Sequence, residues 1–199
     1  GYAILSGTSM ATPHTAGAAA LMMAAHPSWG SNEVISALIT TARPSDRIDS
    51  TTLGTPFDQG GGTLDLAKAI KAGLSFDVTT AQFTAANPAT SGVPHDLNLP
   101  SIVNENCFET CSMSRTARNM SGATATWNVS VSAPAGAVVT PSASSMTLAS
   151  NATKTLNFSI DVSAASLAGH WVFATVTLHP TSGGLSDQVL PVAIYASAT

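Results

Sequence analysis

Ser9 stands in the run Gly7-Thr8-Ser9-Met10-Ala11-Thr12-Pro13-His14, followed by Ala16-Gly17, at the head of a long stretch of small apolar residues. That stretch reads as a helix, so the hydroxyl falls where a loop enters a helix N-terminus. Unpaired backbone N–H groups and the positive end of the helix dipole favour negative charge developing there. The chemistry this suits is nucleophilic attack with stabilisation of an oxyanion, Ser9 supplying the oxygen and the backbone at Gly7 and Thr8 the support. A serine at a helix start is more commonly an N-cap, and position alone leaves both roles open. His14 lies five residues further on, roughly 140° around a helix, so its ring does not sit beside the Ser9 hydroxyl. A buried structural role is expected for it.

No other cluster competes. His26, His95, His170 and His179 show no repeated ligand spacing and read as surface or packing residues. Asp46, Asp49, Asp58, Asp65 and Asp96 lack the alternate-residue spacing of a calcium loop, so no metal site is assigned. Cys107 and Cys111 admit a disulfide that tidies a loop or two reduced thiols, and two ligands do not complete a tetrahedral metal shell. Asn119, Asn128, Asn151 and Asn157 head N-x-S/T triplets, which matter only in a secreting eukaryote.

The elements that must position Ser9 follow from hydrophobic period. Residues 10–25 are apolar nearly all round, as in a helix buried on every side, with Pro13 in or near its first turn and His26-Pro27 stopping it. Ser31 as N-cap, Glu33 in the first turn, and Val34, Ile35, Leu38 and Ile39 at helical spacing give a second helix that Arg43-Pro44 ends. Residues 49–62 read as loop, and 64–72 as a third helix closed by Gly73. From residue 78 the period becomes two. Ala125, Trp127, Val129 and Val131 alternate with polar residues, as do Leu156, Phe158, Ile160 and Val162. Further strands are expected at 97–103, 113–120, 138–140, 145–148, 171–178 and 189–195, with a turn at 180–184. About seven short strands without intervening helices predict a β-sandwich of immunoglobulin or fibronectin type III character.

The eight residues around Ser9 closely resemble the nucleophile signature of subtilisin-like serine proteases. The resemblance continues through Pro27-Ser28-Trp29, Thr40-Thr41-Ala42, Phe57-Asp58-Gln59-Gly60, Leu64-Asp65 and Gly73-Leu74-Ser75-Phe76-Asp77, which resemble the close of the catalytic domain in subtilases with an appended β-domain, the plant type included. Asp96-Leu97-Asn98-Leu99-Pro100-Ser101-Ile102 and Ser114-Arg115-Thr116-Ala117-Arg118-Asn119 resemble the opening strands of that fibronectin-III-like domain. Met120-Ser121 and the insert from Cys107 to Cys111 depart from the family pattern. The resemblance implies an α/β fold, mostly helical here, over 1–77 as the C-terminal part of a catalytic domain, and an all-β sandwich over 78–199.

It further implies that Ser9 is the catalytic nucleophile, with Met10 flanking the active site and open to disruptive oxidation. In this family the order along the chain is Asp, His, Ser, so both partners of Ser9, and the oxyanion asparagine, are expected upstream of Gly1. The chain is therefore expected to be inactive alone and to need the upstream part of its own catalytic domain. Its helical part is expected to be poorly stable without the parallel sheet that part packs on. The implied substrate is protein or peptide, with no cofactor assigned; calcium in the rest of such a protein stays open, as does a homo-oligomer.

Composition bears on partners. Charged residues make up 9% of the 199, hydrophobic residues 44%, and the formal net charge is −4, which leaves no basic face for nucleic acid or anionic lipid. No apolar run is long enough to cross a membrane. A Ser/Thr/Ala-rich, Lys-poor composition is common in exported proteins, and a secreted protein is expected. The rival reading is a non-catalytic β-module that binds, stabilises or oligomerises.

Overall fold

A computed structural model describes residues 5–43, 48, 51–52, 54–181 and 184–198. Pro44, Asp46, Asp49 and the middle of the turn expected at 180–184 lie outside the described residues. Helices come first: α1 (Thr8–Ala25), α2 (Ser31–Thr40), α3 (Pro56–Gln59) and α4 (Leu66–Ala69). A two-residue strand β1 (Leu74–Ser75) and helix α5 (Thr80–Ala85) follow, then two 3₁₀ turns and eight strands. These are β2 (Ile102–Phe108), β3 (Thr110–Asn119), β4 (Ala125–Ser132), β5 (Val138–Pro141), β6 (Ser145–Leu148), β7 (Thr153–Asp161), β8 (Trp171–Pro180) and β9 (Gln188–Ser197).

The strands form two facing sheets, ordered β1-β3-β7-β5 and β2-β9-β8-β4-β6. The expected alternation is realised: Ala125, Trp127 and Val129 from one sheet and Leu156, Phe158 and Ile160 from the other are buried in a single core. All pairs are antiparallel except β2 with β9, which run parallel. The chain crosses between sheets at the β2–β3 corner, where Glu109 takes a left-handed φ of 52°. Cys107 and Cys111 are disulfide-bonded there, with Cα atoms 5.5 Å apart. The bridge thus ties one sheet to the other, and Cys107 is fully buried.

A smaller hydrophobic cluster joins the helices through Met22, Trp29, Val34, Leu38, Ala69 and Ala72. Several expectations are corrected here. Helix α1 is not buried all round: only Ala18 and Met22 are buried, because α2 and α4 cover one stripe of it. It starts at Thr8, so Pro13 lies a turn deeper than its first turn and withholds an N–H from the Ser9 carbonyl. The cap of α2 is Gly30, whose N–H donates to Glu33 Oε2 at 3.0 Å, rather than Ser31. The third helix is shorter than expected, capped by Asp65, and its neighbour Gly73 serves a different purpose from a helix stop. A Cβ at Gly73 would lie 2.8 Å from Leu185 and 2.9 Å from Trp127, so packing, not a left-handed turn, excludes a side chain. Helix α3 forms within the expected loop, Thr55 and Asp58 capping each other.

The strand expected at 97–103 begins only at Ile102. Its preceding backbone is claimed by side chains: Arg115 Nε donates to the carbonyls of Leu99 and Ser101, at 3.0 and 2.7 Å. Asn98 brackets β3 by accepting from Thr116 N–H and donating to Thr116 C=O. Burial pushes the Arg115 guanidinium down to about 10, offset in part by the charge of Asp96. It stays protonated near neutrality and pins residues 95–101 against β3.

Helices and sandwich meet along residues 73–76. The Gly73 carbonyl faces β3, accepting from Met120 N–H at 2.9 Å, and Leu74 and Ser75 pair with Asn119 and Arg118 of that strand. The opposite edge faces side chains. Buried Gln188 accepts from Gly73 and Leu74 N–H at 3.0 and 2.7 Å, and donates to Leu74 C=O and Thr40 Oγ1, both at 2.8 Å. Ser36 Oγ accepts from Phe76 N–H at 2.9 Å and donates to Phe76 C=O at 3.4 Å. Two side chains thereby replace a missing strand neighbour.

Gln188→Ala strands several of these buried groups at once. Urea unfolding is expected to show a loss of about 3 kcal/mol, since each unsatisfied buried group costs about 1–3 kcal/mol. Replacing both Cys107 and Cys111 with serine is expected to lower stability by about 2 kcal/mol, the chain-entropy value for so short a loop, in the same measurement.

Candidate active site

The local chain sets the position of Ser9. Gly7 caps α1 with φ 138° and ψ 172°, a backbone open to glycine and strained for other residues. Its carbonyl accepts from Met10 N–H at 3.0 Å and Ala11 N–H at 3.1 Å, closing the first turn. Ser9 is the second residue of that turn, exposed, with Met10 half-buried behind it. No described residue hydrogen-bonds the Ser9 hydroxyl. The first turn carries no acidic residue, so nothing within it neutralises the positive end of the helix.

The far end of α1 is anchored. His26 stacks on Trp29 with ring centroids 3.8 Å apart and planes 7° from parallel, and its Nε2 donates to Ile70 C=O at 2.8 Å. Ala18 and Met22 supply the buried contacts to α2 and α4. The N-terminal half presents Thr8, Ala11, Thr12, Thr15, Ala16 and Ala19 along a shallow surface of small side chains. Leu5 and Leu21 are 67% and 62% exposed on the same element and its approach.

His14 is exposed rather than buried, correcting the expectation for it. Its Nδ1 donates to Met10 C=O one turn back, at 2.6 Å, so its ring leans along its own helix. Of the other histidines, His95 lies 3.3 Å from Glu105, and His179 bonds Ser130 and Asp187 far along the chain from α1. Among the described residues no histidine or carboxylate is brought to Ser9. No group of three or more His, Cys, Asp or Glu side chains among them could hold a metal ion, and no described helix is long and apolar enough to cross a membrane. Of the four glycosylation triplets, Asn119 is fully buried, its amide donating to Ala123, Leu148 and Ala149 carbonyls, whereas Asn128, Asn151 and Asn157 are exposed.

Ser9 therefore stands exposed on the first turn of a helix that is tied to a two-sheet β-sandwich. In comparison with known proteins, residues 1–68 match the model of the subtilase family, and residues 96–192 that of a fibronectin type-III domain. The chain is 32% identical over 193 residues to subtilisin-like protease SBT3.10 of Arabidopsis thaliana, covering 82% of this chain and 25% of that protein. It is 28% identical over 223 residues to subtilisin-like protease SBT3.13 of Arabidopsis thaliana, covering 98% of this chain and 29% of that protein. The chain belongs with the subtilases that carry a C-terminal fibronectin-III-like domain. It spans between a quarter and a third of the length of these relatives.

Among solved structures, the secreted serine protease VesC from Vibrio cholerae aligns with a TM-score of 0.39 and 11% identity, over 48% of this chain and 21% of that one. The PapD-like domain 7 of human CEP192 aligns at 0.38 and 15%, over 50% and 83%. Likenesses this shallow bear on neither activity nor partner.

Gly7→Ala is expected to strain the cap by about 1–3 kcal/mol. Amide hydrogen exchange at Met10 and Ala11, whose N–H groups depend on the Gly7 carbonyl, should quicken by roughly 5- to 150-fold, while Met22 stays unchanged.

Proposed function

We propose that residues 1–77 form the C-terminal part of a subtilisin-like catalytic domain and that Ser9 is the nucleophile of a secreted serine endopeptidase. The observation that carries this reading is the coincidence of the subtilase match over residues 1–68 with an exposed, unpartnered hydroxyl on the first turn of α1. In the complete site Ser9 Oγ attacks a peptide carbonyl and passes its proton to a histidine supplied by the rest of the catalytic domain. The acyl-enzyme is then hydrolysed by water. The N-terminal amides of α1 and an asparagine side chain hold the oxyanion. The small-residue surface of α1 is the face on which the remaining catalytic domain packs, close approach being what small side chains permit.

The sandwich acts as a brace in this reading. Gln188, Ser36 and the Arg118 contacts to Asp77 and Glu33 hold the helices to the sheets, which favours a stabilising role for residues 78–199.

The 199-residue chain alone is expected to lack proteolytic activity. In subtilisin, loss of the triad histidine lowers turnover on the order of a millionfold. A fluorophosphonate probe, followed by mapping of the modified serine, should leave Ser9 near background in the chain alone. Adding the preceding part of the catalytic domain should restore casein hydrolysis, and Ser9→Ala should abolish it. Labelling of Ser9 at full-enzyme rates in the chain alone, or casein hydrolysis that survives Ser9→Ala, refutes the proposal.

A further inference from the structure

A second chain of hydrogen bonds lies on the outer face of the five-stranded sheet. Ser130 Oγ on β4 sits 2.9 Å from His179 Nε2 on β8, and His179 Nδ1 sits 3.1 Å from Asp187 Oδ2. Strand register builds this arrangement. Ser130 pairs with Thr177 and Asn128 with His179, so Ser130 and His179 are diagonal neighbours on one face. Leu178 pairs with Gln188 in β9, and the next step of the same register sets His179 opposite Asp187.

The direction of the chain follows from donor chemistry. An ionised carboxylate only accepts, so Asp187 selects the tautomer with a proton on Nδ1 and leaves the Nε2 lone pair facing the Ser130 hydroxyl. Asp187 is held between fixed neighbours, since Ser186 N–H donates to Lys71 C=O at 2.9 Å and Gln188 is fully buried. The group is reachable: Ser130 is exposed, and the His179 and Asp187 side chains are 43% and 57% exposed. Further along the same face, Ser132, Thr175 and Val189 line a groove of about 450 Å³ that Pro56, Gly60 and Pro134 close.

We propose that Ser130 is a second nucleophilic site, one that accepts an acyl group from an activated aryl ester, with His179 as its base and Asp187 as a positioning residue. Ser130 Oγ bonds to the ester carbonyl carbon while its proton passes to His179 Nε2. The bond from that carbon to the phenolic oxygen breaks, and the phenoxide takes the proton, giving acylated Ser130 and free phenol. The groove that starts at Ser132, two residues along the same strand face, receives the aryl or acyl group. Strand β4 lies between β6 and β8, and its amides are engaged in the sheet, as with Val129 N–H on Ser144 C=O. Base assistance without an oxyanion donor favours a single acyl transfer over turnover. The inference is independent of Ser9.

The test uses the 199-residue chain carrying Ser9→Ala, with p-nitrophenyl acetate as probe, phenol release followed by absorbance and acetylated residues mapped by mass spectrometry. About one phenol per chain is expected, with acetyl on Ser130. Ser112 and Ser159, exposed strand serines of the other sheet, should react at least about a hundredfold more slowly. His179→Ala should slow Ser130 acetylation by roughly 10²- to 10⁴-fold, and Asp187→Asn should slow it as well, with thermal melting unchanged in both. Acetylation of Ser130 no faster than Ser112, or a rate indifferent to His179→Ala, overturns the proposal. So does acetyl on His179 itself with release that survives Ser130→Ala, which makes the imidazole the nucleophile.

Discussion

Residues 73–76 carry backbone groups on two edges, and only one edge has a strand beside it. Buried N–H and C=O groups must be paired, so the other edge is viable only because Gln188 and Ser36 reach it. Gln188 comes from β9 and Ser36 from α2, and Thr40 of α2 is bonded to the same Gln188 amide. Four hydrogen bonds of one side chain therefore join a strand to a helix and a linker that both lie more than a hundred residues before it. Arg118 of β3 adds a second tie, bonding Asp77 and Glu33 together. The hydrogen bond that Arg118 donates to Asp77 raises its guanidinium pKa most, with Glu33 assisting against the opposing effect of burial.

This junction explains how a small helical cluster keeps its shape beside a sandwich. The helices bury few large side chains of their own: Met22, Trp29, Val34 and Leu38 with several alanines. Their hold on the rest of the molecule includes polar, directional ties through Gln188, Ser36 and Arg118, beside the edge-on packing of Phe57 against Trp171 and Phe173. Helix α1 inherits a polarised mount from this arrangement. Its C-terminal half is fixed by Ala18, Met22 and the His26–Trp29 stack, and its N-terminal turn extends away from that anchor with Ser9 exposed. The proposal for Ser9 rests on this mount, which leaves its hydroxyl open to whatever approaches the start of the helix.

The two serine sites differ in what they lack. Ser9 has the helix start that suits an oxyanion and no base among the described residues. Ser130 has a histidine and a carboxylate in line, set on a sheet whose amides are engaged in strand pairing. Each holds one half of what acyl transfer needs, and the contrast separates base assistance from oxyanion stabilisation within a single chain.

Much of this was legible in the residues. The run around Ser9 identified the family and put the hydroxyl at a helix start, and the period-two patterns at Trp127 and Phe158 marked sandwich strands facing a common core. These are local properties: capping, helix dipole and side-chain alternation act over a few neighbouring residues. Tertiary structure decided the rest. Burial of α1 depends on what covers it, and α2 and α4 cover one stripe only. The segment 97–101 lost its strand pairing to Asn98 and Arg115, a competition that propensity does not record. The Cys107–Cys111 pair joins two sheets because the chain changes sheet between them. Gln188 looked like one polar residue ahead of a strand, and Ser130, His179 and Asp187 shared no sequence spacing. Their roles arise from strand register, which brings together atoms that the order of the chain keeps apart.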